Sequence, residues 1–285
     1  MRFVCPSFSD LYEPNVEIKT FPDGDSYVRV PSAGEARGKD VLLLNRLYPE
    51  QDSSIFQTLL ALRAIREQSP KSITLVVPYL PYSRQDKVFK EGEIKSAKVL
   101  CNLLKREGVD LLVTFDCHFI KKEGEFEYGG LKIMNLSLNR NLVEKAREIA
   151  GEELEIMSPD EGANYLVEEF GGSSMKKERG DYREGKEAYR EIKEVKMEND
   201  VSGKPVLIID DMISTGGTML RAVENVKRGG AERVVCTASH GFFLKNSLEK
   251  LRESGEVFVS DTIPTEVSKV SIKKHLEKIP GMEKE

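Results

Sequence analysis

Five short aliphatic runs, DVLLLN (40–45), SITLVVP (72–78), DLLVTFD (110–116), PVLIID (205–210) and RVVCTAS (233–239), constrain the fold of this chain more than any other feature. Strands that are almost continuously Val, Ile and Leu are buried on both faces, as in parallel sheets. Between them SSIFQTLLALRAIREQ (53–68), IKSAKVLCNLLKREG (94–108), LNRNLVEKAREIAGEE (138–153) and GTMLRAVENVKRGG (217–230) repeat apolar residues at helical spacing. The alternation predicts α/β units, with parallel sheets flanked by helices on both faces. At 285 residues and 39% apolar composition there is material for two cores. We place the domain boundary between 140 and 141, giving halves of 1–140 and 141–285.

The two halves resemble one another. Setting Val41 against Val206 pairs VLLLNR with VLIIDD, and setting Ala61 against Ala222 pairs ALRAIREQSPKSITLVVPY with AVENVKRGGAERVVCTASH. The order strand, loop, helix, turn, strand recurs, which suggests one fold used twice, although generic α/β patterning gives similar pairs. The difference between the copies is chemical. The second has Asp210-Asp211 and Ser-Thr-Gly-Gly-Thr where the first has Asn45-Arg46 and SSIFQ.

Charge narrows the partners. Lys and Arg number 43 against 48 Asp and Glu, a formal charge of −5, so no basic field suits a nucleic acid or an anionic membrane. An anionic ligand must be held by local groups. No apolar stretch approaches the ~20 residues needed to span a bilayer. Cys5, Cys101, Cys117 and Cys236 form no CxxC pair, and MRFVCPSFSD lacks the apolar core of a signal peptide, so a reducing cytoplasm is expected. The stretch SSMKKERGDYREGKEAYREIKEVKMEND (173–200) is dense in charge and nearly without aliphatic residues, and reads as an exposed loop leading to an edge hairpin.

The segment VLIIDDMISTGGTML (206–220) carries the most specific chemistry. A strand ending in Asp210 and Asp211 brings carboxylates to the carboxyl edge of a sheet, where ligands bind in open α/β folds. The following loop, Ser214, Thr215, Gly216, Gly217 and Thr218, opens a helix. Backbone N–H groups at that helix start, three hydroxyls and glycines that permit close approach make a cradle for a phosphate monoester. Carboxylates repel phosphate, so Asp210 and Asp211 are assigned to sugar hydroxyls. The ligand expected is a sugar phosphate. The loop is not a Walker A sequence, because no GK[ST] follows.

This segment resembles the diphosphate-sugar loop of type I phosphoribosyltransferases, and the chain as a whole is similar to the ribose-phosphate pyrophosphokinase family. The likeness runs nearly end to end through FPDGDSYVRV, PYLPYSRQDK, FDCH, SPDEGANYL, KKERGD, the 206–220 segment and SDTIP. It implies two phosphoribosyltransferase-like domains related by duplication. It also implies transfer of the β,γ-diphosphoryl group of ATP to ribose 5-phosphate, with Mg2+ as cofactor.

Individual roles follow from the same resemblance. Phe21 would stack on adenine with Asp23 and Asp25 reading the base edge, serving a neighbouring subunit, so at least a dimer is expected. Glu is more usual in the family where Asp25 stands. Arg84 and Gln85 would contact ATP, Arg84 as a bidentate cation for phosphate oxygens. His118 would lie near the metal and the nucleotide phosphates, and Asp160 would serve metal and ribose. Mg2+ prefers oxygen ligands and retains water, so few direct protein bonds are implied. Ala163 replaces a usual glycine, and Ser214 a frequent aspartate. Lys177 and Arg179 fit a Lys-x-Arg pair that neutralises charge on the transferred group, Lys176 being the neighbour in register. Three other readings share some of these features: a type I phosphoribosyltransferase, a non-catalytic regulatory homologue and a kinase-like sugar-phosphate enzyme. The first needs no ATP half, the second would have lost the acidic or Lys-x-Arg pair, and the third lacks its glycine-rich motif.

Overall fold

A computed structural model describes residues 1–179, 192–196 and 200–282, with 176–179 and 192–196 described as backbone. The strands in chain order are β1 (Arg2–Val4), β2 (Glu17–Thr20), β3 (Ser26–Arg29), β4 (Asp40–Leu44), β5 (Ser72–Val76), β6 (Leu111–Phe115), β7 (Gly124–Tyr128) and β8 (Leu131–Leu136). They are followed by β9 (Glu155–Ser158), β10 (Ser173–Ser174), β11 (Lys176–Arg179), β12 (Ile192–Lys196), β13 (Pro205–Ile213), β14 (Arg233–Gly241), β15 (Glu256–Ser260) and β16 (Ser268–Val270). The α-helices are α1 (Gln51–Arg66), α2 (Ser96–Arg106), α3 (Asn139–Ala150), α4 (Gly217–Arg228), α5 (Ser247–Arg252) and α6 (Lys273–Leu276). Among the described residues no helix is long and apolar enough to cross a membrane.

Two compact units result, one comprising Met1–Ser137 and Ser271–Glu285, the other Leu138–Val270. The sheet of the first runs β1-β4-β5-β6-β8-β7, parallel except for β7. The sheet of the second runs β10-β9-β13-β14-β15-β16 and is parallel throughout. Five consecutive strands correspond: β1-β4-β5-β6-β8 in one unit and β9-β13-β14-β15-β16 in the other. Helices α1 and α4 fall at the same place in this order, as do α2 and α5. The repeat seen in sequence is therefore a repeat of topology.

Alternation explains the aliphatic runs. Val41, Leu43, Ile73 and Leu75 point to the side of the first sheet covered by α1 and α2, through Leu62, Ile65, Leu100 and Leu104. Leu42 and Phe115 point to the other. There the C-terminal segment lies over them: a Cβ on Gly281 would come within 2.7 Å of Leu42, and the His275 ring meets Phe115 edge-on at 6.0 Å. This is why 271–282 groups with the first unit, whereas the sequence-based boundary leaves it in the second half. In the second unit Val206, Ile208, Val234 and Cys236 pack with α4 and α5, and α3 packs on β13, β14 and β16. Both sheets thus bury both faces.

Outside the sheets, β2 and β3 form an antiparallel hairpin, and β11 pairs antiparallel with β12 from Lys176↔Lys196 to Arg179↔Ile192. The charged stretch 173–200 therefore contains a two-stranded ribbon, while residues 180–191 and 197–199 lie outside the described residues.

Candidate active site

The carboxyl edge of the second sheet gathers most of the predicted ligand residues. On β13, which continues past the expected strand end at Asp211 to Ile213, Asp211 is 4% exposed and Asp210 is partly exposed, and the Asp211 N–H donates to Asp210 Oδ1 at 2.9 Å. On the neighbouring β9, Ser158 is followed by Asp160, whose Oδ1 accepts the Gly162 N–H at 2.9 Å and caps the 3-10 helix Glu161–Leu166. Burial raises the Asp210 pKa well above the usual carboxylate range. The Asp211 carboxylate and the hydrogen bond between the two side chains raise it further, and Asp160 adds to the effect. Three acids are brought close enough to feel one another.

The sign for stability follows. Between the ordinary Asp value of 3.8 and its raised value, the native state holds more protons than the unfolded chain, so stability falls as pH rises through that window. Asp210→Asn is expected to raise the midpoint of thermal unfolding at neutral pH, with the gain closing as pH falls below the ordinary Asp range. An unchanged midpoint at both pH values in differential scanning calorimetry would show that Asp210 carries no such penalty.

Beyond β13 the chain turns into α4 through Ser214–Gly217. Gly216 has φ +74°, and a Cβ there would lie 2.6 Å from Ser247 Cβ, so glycine is required on both counts. Gly217 starts the helix with open space where a Cβ would stand. The Leu220 N–H is the first to find an intrahelical acceptor, Gly216 O at 2.8 Å, so the N–H groups of 217–219 begin the helix without one. Ser214 and Thr218 are partly exposed and Thr215 is exposed. A small anion can approach this turn through glycine and hydroxyls alone.

Sequence reasoning did not find what holds the turn. The Phe242 N–H donates to Ile213 O at 2.9 Å, and the Leu244 N–H and Ser247 hydroxyl donate to Ser214 O at 2.9 and 3.4 Å. Phe243, Lys245 and Asn246 all adopt positive φ to make these contacts. Behind them the Ser260 and Thr262 hydroxyls both donate to Ser239 O at 2.6 Å, and His240 Nδ1 lies 3.0 Å from Thr262 Oγ1. SDTIP is thus a buried hydroxyl clasp between the ends of β14 and β15.

In the first unit the remaining candidates lie on the corresponding edge and on the hairpin. Phe21 is 50% exposed at the hairpin turn, closed by its N–H to Asp25 O at 2.8 Å, with the Asp25 N–H donating to Asp23 Oδ1 at 3.1 Å. Arg84 is exposed beyond β5, and Gln85 Oε1 accepts from the Ser96 hydroxyl, leaving its amide donors to face outward contacts. Tyr82, at φ +62°, donates to Asp52. His118 is half-buried just past β6, the strand next to β5. Where the second unit has its acidic pair, β4 is followed by Asn45 and Arg46. Arg46 is buried, bonded to Asp10 at 2.5 and 3.1 Å and to Ser7 O at 2.6 Å, over the Phe8 ring at 4.4 Å.

Lys177 and Arg179 fall on β11, and the part of their assignment that rests on side chains lies outside the described residues. His118 belongs to the first unit and Asp160 to the second. Among the described residues no group of three or more His, Cys, Asp or Glu side chains is arranged to hold a metal ion. The oxygen-only chemistry of Asp160, Asp210 and Asp211 nevertheless suits a hard divalent cation that keeps most of its water.

Comparison with known proteins agrees with this geometry. Residues 9–108 match the model of the N-terminal domain of ribose phosphate pyrophosphokinase, and residues 144–275 match that of the phosphoribosyl transferase domain. The ribose-phosphate pyrophosphokinase of Sulfurisphaera tokodaii is 38% identical over 90% of this chain and 87% of its own length. That of Pyrococcus abyssi is 36% identical over 93% of this chain and 90% of its own. The crystal structure of phosphoribosylpyrophosphate synthetase from Mycobacterium smegmatis superposes with a TM-score of 0.80 at 26% identity, covering 97% of this chain and 95% of that one.

Proposed function

This chain belongs to the ribose-phosphate pyrophosphokinase family, and on that premise we propose how its two units divide the reaction. The enzyme transfers the β,γ-diphosphoryl group of ATP to the anomeric hydroxyl of ribose 5-phosphate. The observation that carries the reading is the placement, on one strand–turn–helix, of Asp210 and Asp211 beside a helix start built from glycine and hydroxyl residues. Asp210 and Asp211 accept the 2- and 3-hydroxyls, and the 214–218 turn holds the 5-phosphate. A substrate fixed at both ends presents its anomeric oxygen in one direction, which converts a two-body encounter into an oriented attack.

The first unit serves the nucleotide. Phe21 with Asp23 and Asp25 takes the base, and Arg84, Gln85 and His118 take the phosphates. The anomeric oxygen bonds to the β-phosphorus while the bond from that phosphorus to the α,β-bridging oxygen breaks. AMP leaves with the bridging oxygen, and the hydroxyl proton passes to solvent. Lys177 and Arg179 offset the charge that develops on the transferred group and on the departing oxygen. Asp160 would hold Mg2+, with His118 as a further candidate on the nucleotide side, and the ion would supply charge neutralisation when bound. No side chain is assigned as general base.

Incubating the protein with Mg2+, ATP and ribose 5-phosphate should release AMP in step with the diphosphate sugar. Formation of ADP instead would refute diphosphoryl transfer. The family resemblance, with which the exposed position of this turn is compatible, leads us to assign Phe21, Asp23 and Asp25 to a neighbouring subunit's nucleotide, in at least a dimer. Full activity from a species shown by light scattering to be monomeric would dismiss that assignment. The four cysteines are buried without a disulfide, in keeping with a reducing cytoplasm.

A further inference from the structure

We propose that Asn135 is a positioning residue for the nucleotide half of the site, holding in place the loop that carries His118. The proposal rests on the assignment of His118 to the nucleotide phosphates made above.

Strands β6 and β8 run parallel up to Phe115↔Leu136, and the Asp116 N–H extends the ladder by donating to Leu136 O at 2.9 Å. At Asp116 the chain leaves the sheet abruptly. This residue is 3% exposed and has φ +37°, a left-handed conformation that a non-glycine residue adopts only when its surroundings impose it. The turn rotates the Cys117 N–H off the ladder, where it needs another acceptor. Asn135 supplies it. Its Oδ1 accepts the Cys117 N–H at 2.9 Å, and its Nδ2 donates to Lys122 O, also at 2.9 Å.

One carboxamide, 2% exposed, therefore grips both ends of the six-residue stretch 117–122. The amide orientation is dictated by its partners: an N–H must meet the oxygen and a carbonyl must meet the nitrogen. Within the stretch the Ile120 N–H donates to Cys117 O at 2.8 Å, so the backbone around His118 is tied at three points. His118 follows the clamped Cys117 directly. Shifting the clamp by even a fraction of an ångström would move the imidazole relative to Arg84 and Gln85, which leave the adjacent β5 edge. Nothing in the sequence KIMNL marks Asn135 for this task; only the strand register brings it there.

The experiment compares Asn135→Ala, Asn135→Asp and Asn15→Ala. Asn15 makes the same pair of bonds at another place in the same unit, accepting the Val4 N–H at 2.7 Å and donating to Arg2 O at 3.0 Å. It is the control for a merely structural asparagine. Affinity for Mg2+-bound α,β-methylene-ATP is read by calorimetry, KM for ribose 5-phosphate by steady-state kinetics, and folding by thermal melts. Asn135→Ala should weaken analogue binding roughly tenfold or more, in the range seen when a supporting hydrogen bond to a site residue is lost. Asn135→Asp keeps the acceptor for Cys117 but sets an oxygen against Lys122 O in place of the donor, so it too should weaken analogue binding. Asn15→Ala should bind the analogue as the unsubstituted enzyme does, and ribose 5-phosphate KM should stay within about twofold in all three.

Wild-type analogue affinity in Asn135→Asp, or equal weakening in Asn15→Ala and Asn135→Ala, would overturn the proposal. His118→Ala is measured alongside. If it leaves analogue binding intact, the assignment of His118 itself fails; if it weakens binding while the Asn135 variants do not, only the clamp fails.

Discussion

Replacing Lys177 and Arg179 together with alanine is expected to lower kcat by at least ~10²–10³, with the KM values for ATP and ribose 5-phosphate near normal. When the bond to AMP breaks, negative charge grows on the bridging oxygen and spreads over the diphosphoryl oxygens. Cations that meet this charge only as it forms stabilise the transition state more than the bound substrates, and such contacts appear in kcat. Two cations acting on one group are coupled, so the double replacement should cost less than the product of the single ones. Equal rises in both KM values would make them ordinary substrate-binding charges. Were they only solvated, stability would change by no more than ~0.5 kcal/mol and turnover would be unaffected. The pattern separates the three cases even if the size differs.

Asp211→Asn is expected to reduce kcat/KM for ribose 5-phosphate by about 1.5–3 kcal/mol, roughly tenfold to 150-fold, and to leave the KM for ATP alone. An amide oxygen accepts, but the amide nitrogen opposite cannot, so one sugar hydroxyl loses its partner. The Asp210–Asp211 contact modifies this expectation. With the neighbouring charge gone, part of what raises the Asp210 pKa disappears, and Asp210 is ionised over a wider pH range. The variant should therefore lose affinity most at neutral pH and be less sensitive to mild acid than the unsubstituted enzyme. Steady-state kinetics against pH would test both points, and an unchanged kcat/KM for the sugar phosphate would remove Asp211 from the site.

The parallel sheets were legible because strands buried on two faces must be aliphatic almost throughout, as in β4, β5, β6, β13 and β14. The strands that escaped notice include β8, β9 and β15, whose runs are interrupted by polar residues, and several that are short or marginal. β1 and β16 have three residues each, and β7 alternates glutamates with apolar residues at a sheet edge. The strand-to-helix turn at 214–218 was legible because turn chemistry is local. What could not be read depends on register and long-range contact. Nothing in SIKKHLEKIPGM announces that it covers Leu42 and Phe115 in the first unit. Nor does composition disclose that Ser260 and Thr262 close on Ser239, or that Arg46 is neutralised by Asp10 thirty-six residues earlier.

That last ion pair settles an accounting question raised by the duplicated fold. Two undiverged copies would offer two sugar-phosphate sites per polypeptide, and occupancy of one would compete with occupancy of the other. At the end of β4 the first copy instead carries its own counter-ion: Arg46 is enclosed by Asp10, Ser7 and the Phe8 ring. No vacancy for a hydroxyl-bearing ligand remains in that charge pattern. If the acidic pair and the 214–218 turn hold the sugar phosphate as proposed, titration should give one sugar phosphate per chain, and a stoichiometry of two would refute the division. On the same proposal, the stabilisation that the ligand confers by mass action would originate in the second copy, whose strand end keeps Asp210 and Asp211 where the first has Asn45 and Arg46.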